Sequence, residues 1–228
     1  MASAANSLAL VIIDCQQSFV RGFWMSGVGK ADVEPILTAY NNVAALLPSL
    51  SASIRLLVTQ CPFPSQSDFE LYPPVRDALA SREDVTRVIK PGNSVLRASG
   101  AIQWFDSIVA DGIKTVVIAG CTLTSCVRVS ALDVHRRYAV AYGLQTSVDL
   151  SLCGARASNY QKRCDTCLQA YLLGFSVMHS ADLSDCQCNN SPNIVLRSPV
   201  DRSVSDMKSA GVSVVEAFDW SSFRASPS

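Results

Sequence analysis

The chain has 228 residues, a length that fits one large domain or two small ones, and a single hydrophobic core is the simpler prediction. Hydrophobic residues make up 49% of the chain and charged residues 17%, a balance that excludes disorder of the whole sequence. Nineteen basic residues balance nineteen acidic ones without a dense basic stretch, so we expect no nucleic acid partner. No apolar run reaches the roughly 18 residues that cross a bilayer, so no membrane span is expected.

The N-terminal residues and the cysteine content indicate in which cellular compartment the protein is expected. Residues 1–6 lack the positive charge that begins a secretory signal, which favours a cytoplasmic protein. The nine cysteines are an odd number, and a chain of this length can be stabilised by core packing without disulfides. We therefore expect most of the cysteines to be reduced.

Strands and helices alternate in the first half of the chain. Residues 8–13 form a continuous apolar run, which is typical of a strand buried on both faces of a parallel sheet. Apolar residues then recur at helical spacing over 32–50, with Asp32 as the predicted N-cap and Pro35 early in the helix. Next come a strand at 54–59, a long proline-containing loop at 60–74, a strand at 85–89 and a helix at 102–109.

The alternation continues in the second half. Residues 115–119 are the most strand-like segment, and after them we predict a helix at 127–137, a strand at 138–144, a helix at 158–173 and a strand at 175–179. This order predicts a three-layer α/β fold with a mostly parallel sheet and right-handed crossovers.

The composition shifts toward Ser, Asn and Pro beyond Asp185, with a linker or turn at 189–192. Segments 194–196 and 212–218 are expected to be edge strands around a short helix. We therefore predict a main domain at 1–188 and a C-terminal extension at 189–228, which packs on that domain and has a disordered end.

Three reactive side chains are predicted at one edge of the sheet, where ligands bind in open α/β folds. Asp14 ends the first strand, Lys90 ends the third, and Cys126 follows the fourth by a short turn that opens a helix. A helix N-terminus and a nearby ammonium group both lower the pKa of a thiol, so Cys126 is the predicted nucleophile. Asp14 is placed to accept its proton while Lys90 orients that carboxylate.

Three motifs around these residues resemble the isochorismatase-like cysteine hydrolases. Residues 14–19 (DCQQSF) resemble the D-x-Q-x-x-F opening of that family, 89–94 (IKPGNS) its lysine segment, and 119–133 its cysteine block. The usual Thr three places before the cysteine is shifted here to Thr122 and Thr124. The resemblance covers about residues 8–182.

The resemblance implies a six-stranded parallel sheet between helices and a triad of Asp14, Lys90 and Cys126. It also implies a cis peptide bond between Cys121 and Thr122, with the backbone N–H groups of Thr122 and Cys126 as the oxyanion hole. It implies a small-molecule substrate, no cofactor, and a homo-oligomer such as a dimer or tetramer.

Within the family, residues 126–133 (CVRVSALD) are most like the branch that contains N-carbamoylsarcosine amidase, in which an Arg follows the Cys-Val pair. The D-x-H-x-x-H metal-binding pattern of nicotinamidases is missing, because residues 60–76 contain no histidine. The resemblance therefore disfavours nicotinamidase activity and implies no catalytic metal.

Four further residues are candidates for substrate binding. Phe19, Trp24 and Phe63 follow the first two strands and could line the pocket, although packing in the core or between subunits explains them equally well. Arg128 could reach a substrate carboxylate or form an ion pair at the surface.

The other cysteines are interpreted first as core residues. Cys15, Cys61 and Cys121 are nevertheless expected near the pocket, where they could be oxidised. Four further cysteines near the C-terminus could instead form a structural zinc site. The predicted amphipathic helix around the first two, Cys164 and Cys167, argues against this alternative. The four are Cys164, Cys167, Cys186 and Cys188.

The sequence thus predicts a hydrolase that cleaves a C–N bond of a small amide or carbamoyl compound through a thioester on Cys126, releasing ammonia. Isochorismatase-type hydrolysis of a vinyl ether is the alternative within the family, and it releases pyruvate without needing the cysteine. A non-catalytic interaction module that keeps the fold is a third hypothesis, and the intact triad argues against it.

Overall fold

The structure is a computed structural model that describes residues 8–174 and 195–225. Its strands are Leu8–Ile13 (β1), Arg55–Gln60 (β2), Val85–Ile89 (β3), Thr115–Cys121 (β4), Gln145–Gly154 (β5) and Ser213–Val215 (β6). Its α-helices are Phe23–Val28 (α1), Glu34–Leu46 (α2), Gln66–Phe69 (α3), Pro73–Leu79 (α4), Ala101–Ala110 (α5), Arg128–Tyr142 (α6), Asp165–Leu172 (α7) and Pro199–Ser209 (α8). A short π-helix, Leu123–Val127, joins β4 to α6.

The six strands form one parallel sheet in the order β3-β2-β1-β4-β5-β6. The predicted α/β sheet is therefore confirmed. Strand order reverses between β1 and β4, so the crevice beyond the carboxyl ends of these two strands is the place where such sheets bind ligands.

Both faces of the sheet are covered. Odd-numbered residues of β1 lie in one apolar cluster with residues of α5, α6 and α8, and even-numbered residues lie in a second cluster with residues of α2 and α4. Successive strand residues point to opposite faces, so a central strand covered on both sides needs an unbroken apolar run.

Helix α2 shows how local sequence sets one of these layers. Pro35 occupies the first turn, where its missing N–H is not needed, and Ile36, Tyr40 and Val43 are buried on one face. The prediction that Asp32 caps this helix is wrong, because the N-cap of α2 is Val33. The Asp32 carboxylate instead accepts hydrogen bonds from the Arg156 side chain and from the backbone N–H of Ser158, and so ties the start of α2 to the segment after β5.

The strand predicted at 138–144 is wrong, because α6 continues to Tyr142 and β5 begins at Gln145. Val134 and Tyr138 are both buried and lie about one helical turn apart. The helix therefore places the Tyr138 ring on the same buried face as Val134. The helix then ends at Gly143, whose φ of 68° is the left-handed conformation that glycine adopts without strain.

Two other boundaries differ from prediction. The helix predicted at 158–173 begins only at Asp165, because the preceding backbone is held by an antiparallel bridge between Arg163 and Arg197. The long loop predicted at 60–74 contains α3 and the first two residues of α4.

The described part of the C-terminal extension adds to the sheet. Strand β6 pairs with β5 and matches the edge strand predicted at 212–218, and α8 is the short helix expected before it. Val195 and Leu196 belong to no strand, and the strand predicted at 175–179 lies outside the described residues. Among the helices of 8–174 and 195–225, none has the length and hydropathy to cross a membrane.

Candidate active site

Asp14 lies directly after the central strand β1, and its side chain is fully buried. Its φ of 50° is uncommon for a residue other than glycine and turns the chain away from the strand direction. The Thr59 hydroxyl donates to Asp14 Oδ1 over 2.7 Å and accepts from the Asp14 backbone N–H over 3.2 Å. One carboxylate oxygen is thereby fixed, and Oδ2 faces the other reactive groups.

Lys90 follows β3 and brings its ammonium group to that oxygen. Lys90 Nζ lies 2.6 Å from Asp14 Oδ2 and donates to Cys126 Sγ over 3.2 Å and to the carbonyl oxygen of Gly92 over 2.9 Å. Burial lowers the pKa of Lys90, but the charge of Asp14, aided by that of Cys126, more than offsets this, so the pKa is raised above its ordinary value. Lys90 therefore stays positively charged at neutral pH.

Cys126 sits on the short π-helix that follows β4. The approach of β4 to β1 requires glycine at position 120, because an added Cβ there would lie 2.0 Å from the carbonyl oxygen of Ile13. The Cys121–Thr122 peptide bond is cis, as expected. With Asp14 and Lys90 fully buried and Cys126 8% exposed, Cys126 is the member of the triad that solvent reaches.

The surroundings of Cys126 favour its thiolate form. The neighbouring Cys61 thiol, together with the charge and hydrogen bond of Lys90, lowers the pKa of Cys126, whereas burial and the charge of Asp14 raise it. The net effect lowers the pKa of Cys126 from 9.0 to about 7. A large fraction of the protein therefore carries a nucleophilic thiolate at neutral pH.

Alkylation should report this pKa directly. The rate of iodoacetamide addition to Cys126 should follow an apparent pKa of about 7, falling tenfold per pH unit on the acid side, because only the thiolate reacts. Mass spectrometry of the modified peptide gives the rate, and a Cys126→Ser variant gives the background from other thiols. A profile centred near 8.5, the value of an ordinary thiol, would contradict the assignment.

Cys61, which the sequence predicts near the pocket without a role in the site, lies beside Asp14 and Lys90. It follows β2, and its Sγ donates to Asp14 Oδ2 over 3.1 Å and lies 3.5 Å from Lys90 Nζ. The buried side chain of Gln16 holds it in place by accepting from the Cys61 N–H over 2.7 Å and donating to its carbonyl oxygen over 3.0 Å. The strand-end rule that identified Asp14 and Lys90 applies equally to Cys61.

Asp14, Cys61 and Cys126 offer ligand atoms that all lie within 4.8 Å of one another, the one such grouping found within 8–174 and 195–225. The ammonium group of Lys90 contacts all three. It supplies the positive charge that a metal ion would otherwise bring to this cluster.

The loop after β3 packs against Cys126 and is held by α6. Asn93 Oδ1 lies 3.6 Å from Cys126 Sγ. The buried hydroxyl of Ser130 donates to the carbonyl oxygen of Asn93 over 3.2 Å and accepts from the Val95 N–H over 2.9 Å. Ser130 therefore positions Asn93 beside Cys126.

Replacing Ser130 with Ala should destabilise the protein by about 1–3 kcal/mol, because the buried Val95 N–H loses its acceptor. It should also lower activity modestly by loosening the loop that carries Asn93. Urea unfolding gives the stability change, with exposed Ser209→Ala on α8 as the matched control. Equal stability of the two variants would show that this hydroxyl does not hold the loop.

The predicted aromatic residues form one cluster after β1 and β2. The Phe19 ring meets that of Trp24 edge-on, with centroids 5.2 Å apart, and that of Phe63 with centroids 5.5 Å apart. Phe19 is buried, whereas Trp24 and Phe63 are half-buried. The structure thus brings these three predicted residues together.

Arg128 lies on the first turn of α6 and faces α8. Its guanidinium is 3.5 Å from the carboxylate of Asp206, and its Nε donates to the carbonyl oxygen of Thr124 over 3.3 Å. Of its two predicted roles, ion pairing is the one seen in the structure.

The proposed zinc cysteines fall only partly within the described residues. Cys167 is buried on α7, as the core interpretation predicts, whereas Cys164 is the half-buried N-cap of that helix and does not lie within it. Cys186 and Cys188 lie outside the described residues.

Comparison with known proteins identifies the family. Residues 8–162 match the isochorismatase domain. The chain belongs to the isochorismatase family. It is a cysteine hydrolase of that family, and the predicted N-carbamoylsarcosine amidase branch stays a prediction. Among functionally curated proteins, none matches the sequence.

Solved structures share the isochorismatase-family fold. The ycaC gene product of Escherichia coli, described as an octameric hydrolase of unknown specificity, is 17% identical with a TM-score of 0.55, over 92% of this chain and 76% of that one. Nicotinamidase PncA from Bacillus subtilis is 14% identical with a TM-score of 0.57, over 92% and 99% of the two chains. A putative isochorismatase hydrolase from Oleispira antarctica is 13% identical with a TM-score of 0.56, over 94% and 96%.

Proposed function

We propose that this isochorismatase-family hydrolase cleaves a C–N bond of a small amide or carbamoyl compound through a thioester on Cys126. The observation that carries the proposal is the 3.2 Å contact between Lys90 Nζ and Cys126 Sγ, beside a carboxylate that pairs with the same ammonium. A thiolate stabilised in this way is the form that attacks a carbonyl carbon.

In the acylation step, the Cys126 thiolate attacks the substrate carbonyl and forms a tetrahedral intermediate. Backbone N–H groups of Thr122 and Cys126 stabilise its oxyanion. Asp14, whose carboxylate lies within 4.8 Å of Cys126 Sγ, holds the proton from the thiol and passes it to the departing nitrogen. The C–N bond breaks, ammonia leaves, and the acyl group remains on sulfur.

In the deacylation step, Asp14 accepts a proton from water, and the resulting hydroxide attacks the thioester carbonyl. The C–S bond breaks, the acid product leaves, and the thiolate returns. Lys90 stays charged throughout and stabilises whichever of Asp14 and Cys126 carries the negative charge.

The proposed pocket combines an apolar wall with one basic group. Phe19, Trp24 and Phe63 form the wall, which suits a small substrate with an apolar portion. Arg128 would bind a substrate carboxylate only if its ion pair with Asp206 opened. This arrangement fits a carbamoyl amino acid or a simple amide.

The names of two structural neighbours also support amide chemistry. One is the nicotinamidase PncA from Bacillus subtilis, and another is PnC1 from L. infantum, 15% identical with a TM-score of 0.57, in complex with nicotinate. Nicotinamide therefore belongs among the substrates tested, although residues 60–76 contain no histidine.

A substrate panel tests the proposal. Carbamoyl amino acids, simple amides, nicotinamide and isochorismate are incubated with the protein, and ammonia and pyruvate are measured. We expect ammonia from at least one amide or carbamoyl compound, together with an acyl adduct on the Cys126 peptide in quenched reactions. Pyruvate from isochorismate, without ammonia from any other compound, would overturn the proposal in favour of vinyl-ether hydrolysis.

We also propose that the protein is a homo-oligomer, like the E. coli hydrolase described as octameric. Phe23 is 78% exposed and Val140 95% exposed, which leaves apolar side chains available for contact between copies. Light scattering of the purified protein measures the mass, and a monomer at micromolar concentration would contradict this.

A further inference from the structure

Two thiols, those of Cys61 and Cys126, share the bottom of the site. We propose that Cys61 is the partner for reversible oxidation of Cys126, so that hydrogen peroxide converts the pair into a disulfide and a dithiol reductant restores both thiols. The loss of activity on oxidation rests on the proposed function, whereas formation of the bond does not.

The geometry places the two sulfurs in reach of each other. Cys61 Sγ and Cys126 Sγ lie within 4.8 Å, and both contact the same ammonium, Lys90 Nζ, at 3.5 and 3.2 Å. An S–S bond of about 2.05 Å requires the two side chains to close the remaining gap. Cys61 is half-buried and Cys126 is 8% exposed, so a molecule as small as peroxide has access to the pair.

The position of Cys61 is fixed by more than one contact. The side chain of Gln16, itself fully buried, bonds both the N–H and the carbonyl oxygen of Cys61. The backbone of Cys61 is therefore clamped, and its thiol contacts Asp14 and Lys90 beside Cys126.

The other cysteines near β1 are less suited to this reaction. Cys15 and Cys121 are fully buried, and burial raises the pKa of each well above its ordinary value. Cys121 Sγ is also held 2.8 Å from the hydroxyl of Tyr40. Neither offers a solvent-exposed sulfur. Cys61 is half-buried and its Sγ contacts both Lys90 Nζ and Asp14 Oδ2, so the geometry favours Cys61 as the partner.

The chemistry balances with peroxide as the oxidant. The Cys126 thiolate attacks one peroxide oxygen, the O–O bond breaks, and Cys126 becomes a sulfenic acid as hydroxide leaves. Cys61 then attacks the sulfenic sulfur, the S–O bond breaks, and the S–S bond forms. Asp14 Oδ2, 3.1 Å from Cys61 Sγ, accepts the Cys61 proton and passes it to the hydroxide that leaves the sulfenic sulfur, which gives one water. The hydroxide released from peroxide takes up the proton that the Cys126 thiol lost on ionisation, which gives the second. Two thiols lose two electrons, and peroxide is reduced to two waters.

The reaction is reversible by thiol–disulfide exchange. A dithiol attacks one sulfur, forms a mixed disulfide, and then releases both cysteines as thiols. Without a partner thiol, the sulfenic acid on Cys126 would be open to further oxidation to sulfinic acid, which dithiols do not reverse. Cys61 therefore protects the nucleophile while it is inactive.

Peptide mapping of the intact protein tests the proposal. The wild-type protein is treated with hydrogen peroxide, its remaining thiols are blocked, and it is digested without reductant. We expect a cross-linked peptide containing Cys61 and Cys126, with the loss of two hydrogen masses, and its disappearance after dithiothreitol. Activity, where a substrate is known, should fall in proportion to the cross-linked fraction and return with the reductant.

A matched pair of variants separates the roles of individual thiols. In Cys61→Ser, peroxide should leave Cys126 as a sulfenic acid that dimedone traps, and longer exposure should produce sulfinic acid that dithiothreitol does not reverse. In Cys164→Ser, where serine is a favoured N-cap for α7, the cross-link should form as in the wild type.

Absence of the cross-linked peptide from fully oxidised wild-type protein would overturn the proposal, as would recovery of Cys61→Ser from peroxide equal to that of the wild type. Because the mapping needs no turnover and uses the wild-type chain, it decides the question even if Cys61→Ser does not fold. A failure of the substrate panel with a positive peptide map would reject only the proposed hydrolysis.

Discussion

Replacing Cys126 with alanine should lower kcat for amide hydrolysis by a factor on the order of 10⁴ or more, as removal of a covalent nucleophile does in other hydrolases. Without the sulfur no thioester forms, and the remaining Asp14 and Lys90 already neutralise each other across 2.6 Å. Ammonia release under saturating substrate measures the effect.

Two controls show whether the fall in kcat comes from the missing sulfur or from unfolding of the protein. The Cys126 side chain is small, so Cys126→Ala should unfold at nearly the same urea concentration as the wild type, and Cys164→Ser should keep wild-type ammonia release. Ammonia release by Cys126→Ala at the wild-type rate would exclude the thioester route. Pyruvate release that survives in the same variant would assign the chemistry to Asp14.

Replacing Lys90 with methionine should destabilise the protein by about 3–5 kcal/mol, because it removes one partner of a fully buried ion pair and leaves Asp14 without a counter-charge. Activity should also be lost, since the positive charge that stabilises the Cys126 thiolate is gone. Urea unfolding and iodoacetamide kinetics measure the two effects separately.

A double variant distinguishes charge pairing from packing. Asn in place of Asp14 keeps an acceptor for the Thr59 hydroxyl while removing the charge, so Asp14→Asn combined with Lys90→Met should recover part of the lost stability. Activity should stay lost. Lys114→Met, at an exposed lysine, is the control for methionine substitution and should change little. A double variant less stable than Lys90→Met alone would show that the charges do not depend on each other.

Most of the candidate site could be predicted from the residues that directly follow the parallel strands. Asp14 and Lys90 were predictable because parallel strands deliver their carboxyl ends to one edge of the sheet, and the residue that follows each strand is visible in the sequence. Cys61 obeys the same rule, but its importance depends on the clamp by Gln16 and on the distance to Asp14. Such contacts between distant segments are set by packing, which no local pattern encodes.

The fold was predicted best where hydrophobic pattern and length agreed. The run at 8–13 could only be a covered strand, and the structure has β1 at those residues. The segment at 138–144 mixes aromatic, β-branched and small residues, so its local preference is ambiguous, and burial of Tyr138 against α5 decides for helix. Asp32 looked like a cap because its true partners, Arg156 and Ser158, lie more than a hundred residues away.

The parallel order of the sheet separates the reactive groups widely along the chain. Cys61 lies 47 residues from Asp14, and Cys126 lies 36 residues from Lys90, because each parallel pairing needs a crossover. The contacts that join Asp14, Cys61, Lys90 and Cys126 therefore close long loops, which costs entropy and makes folding slow relative to a protein with local contacts. A newly made chain can form its helices early, yet it has no activated cysteine until four neighbouring strands have paired, so reactive thiolate chemistry is withheld until folding is nearly complete.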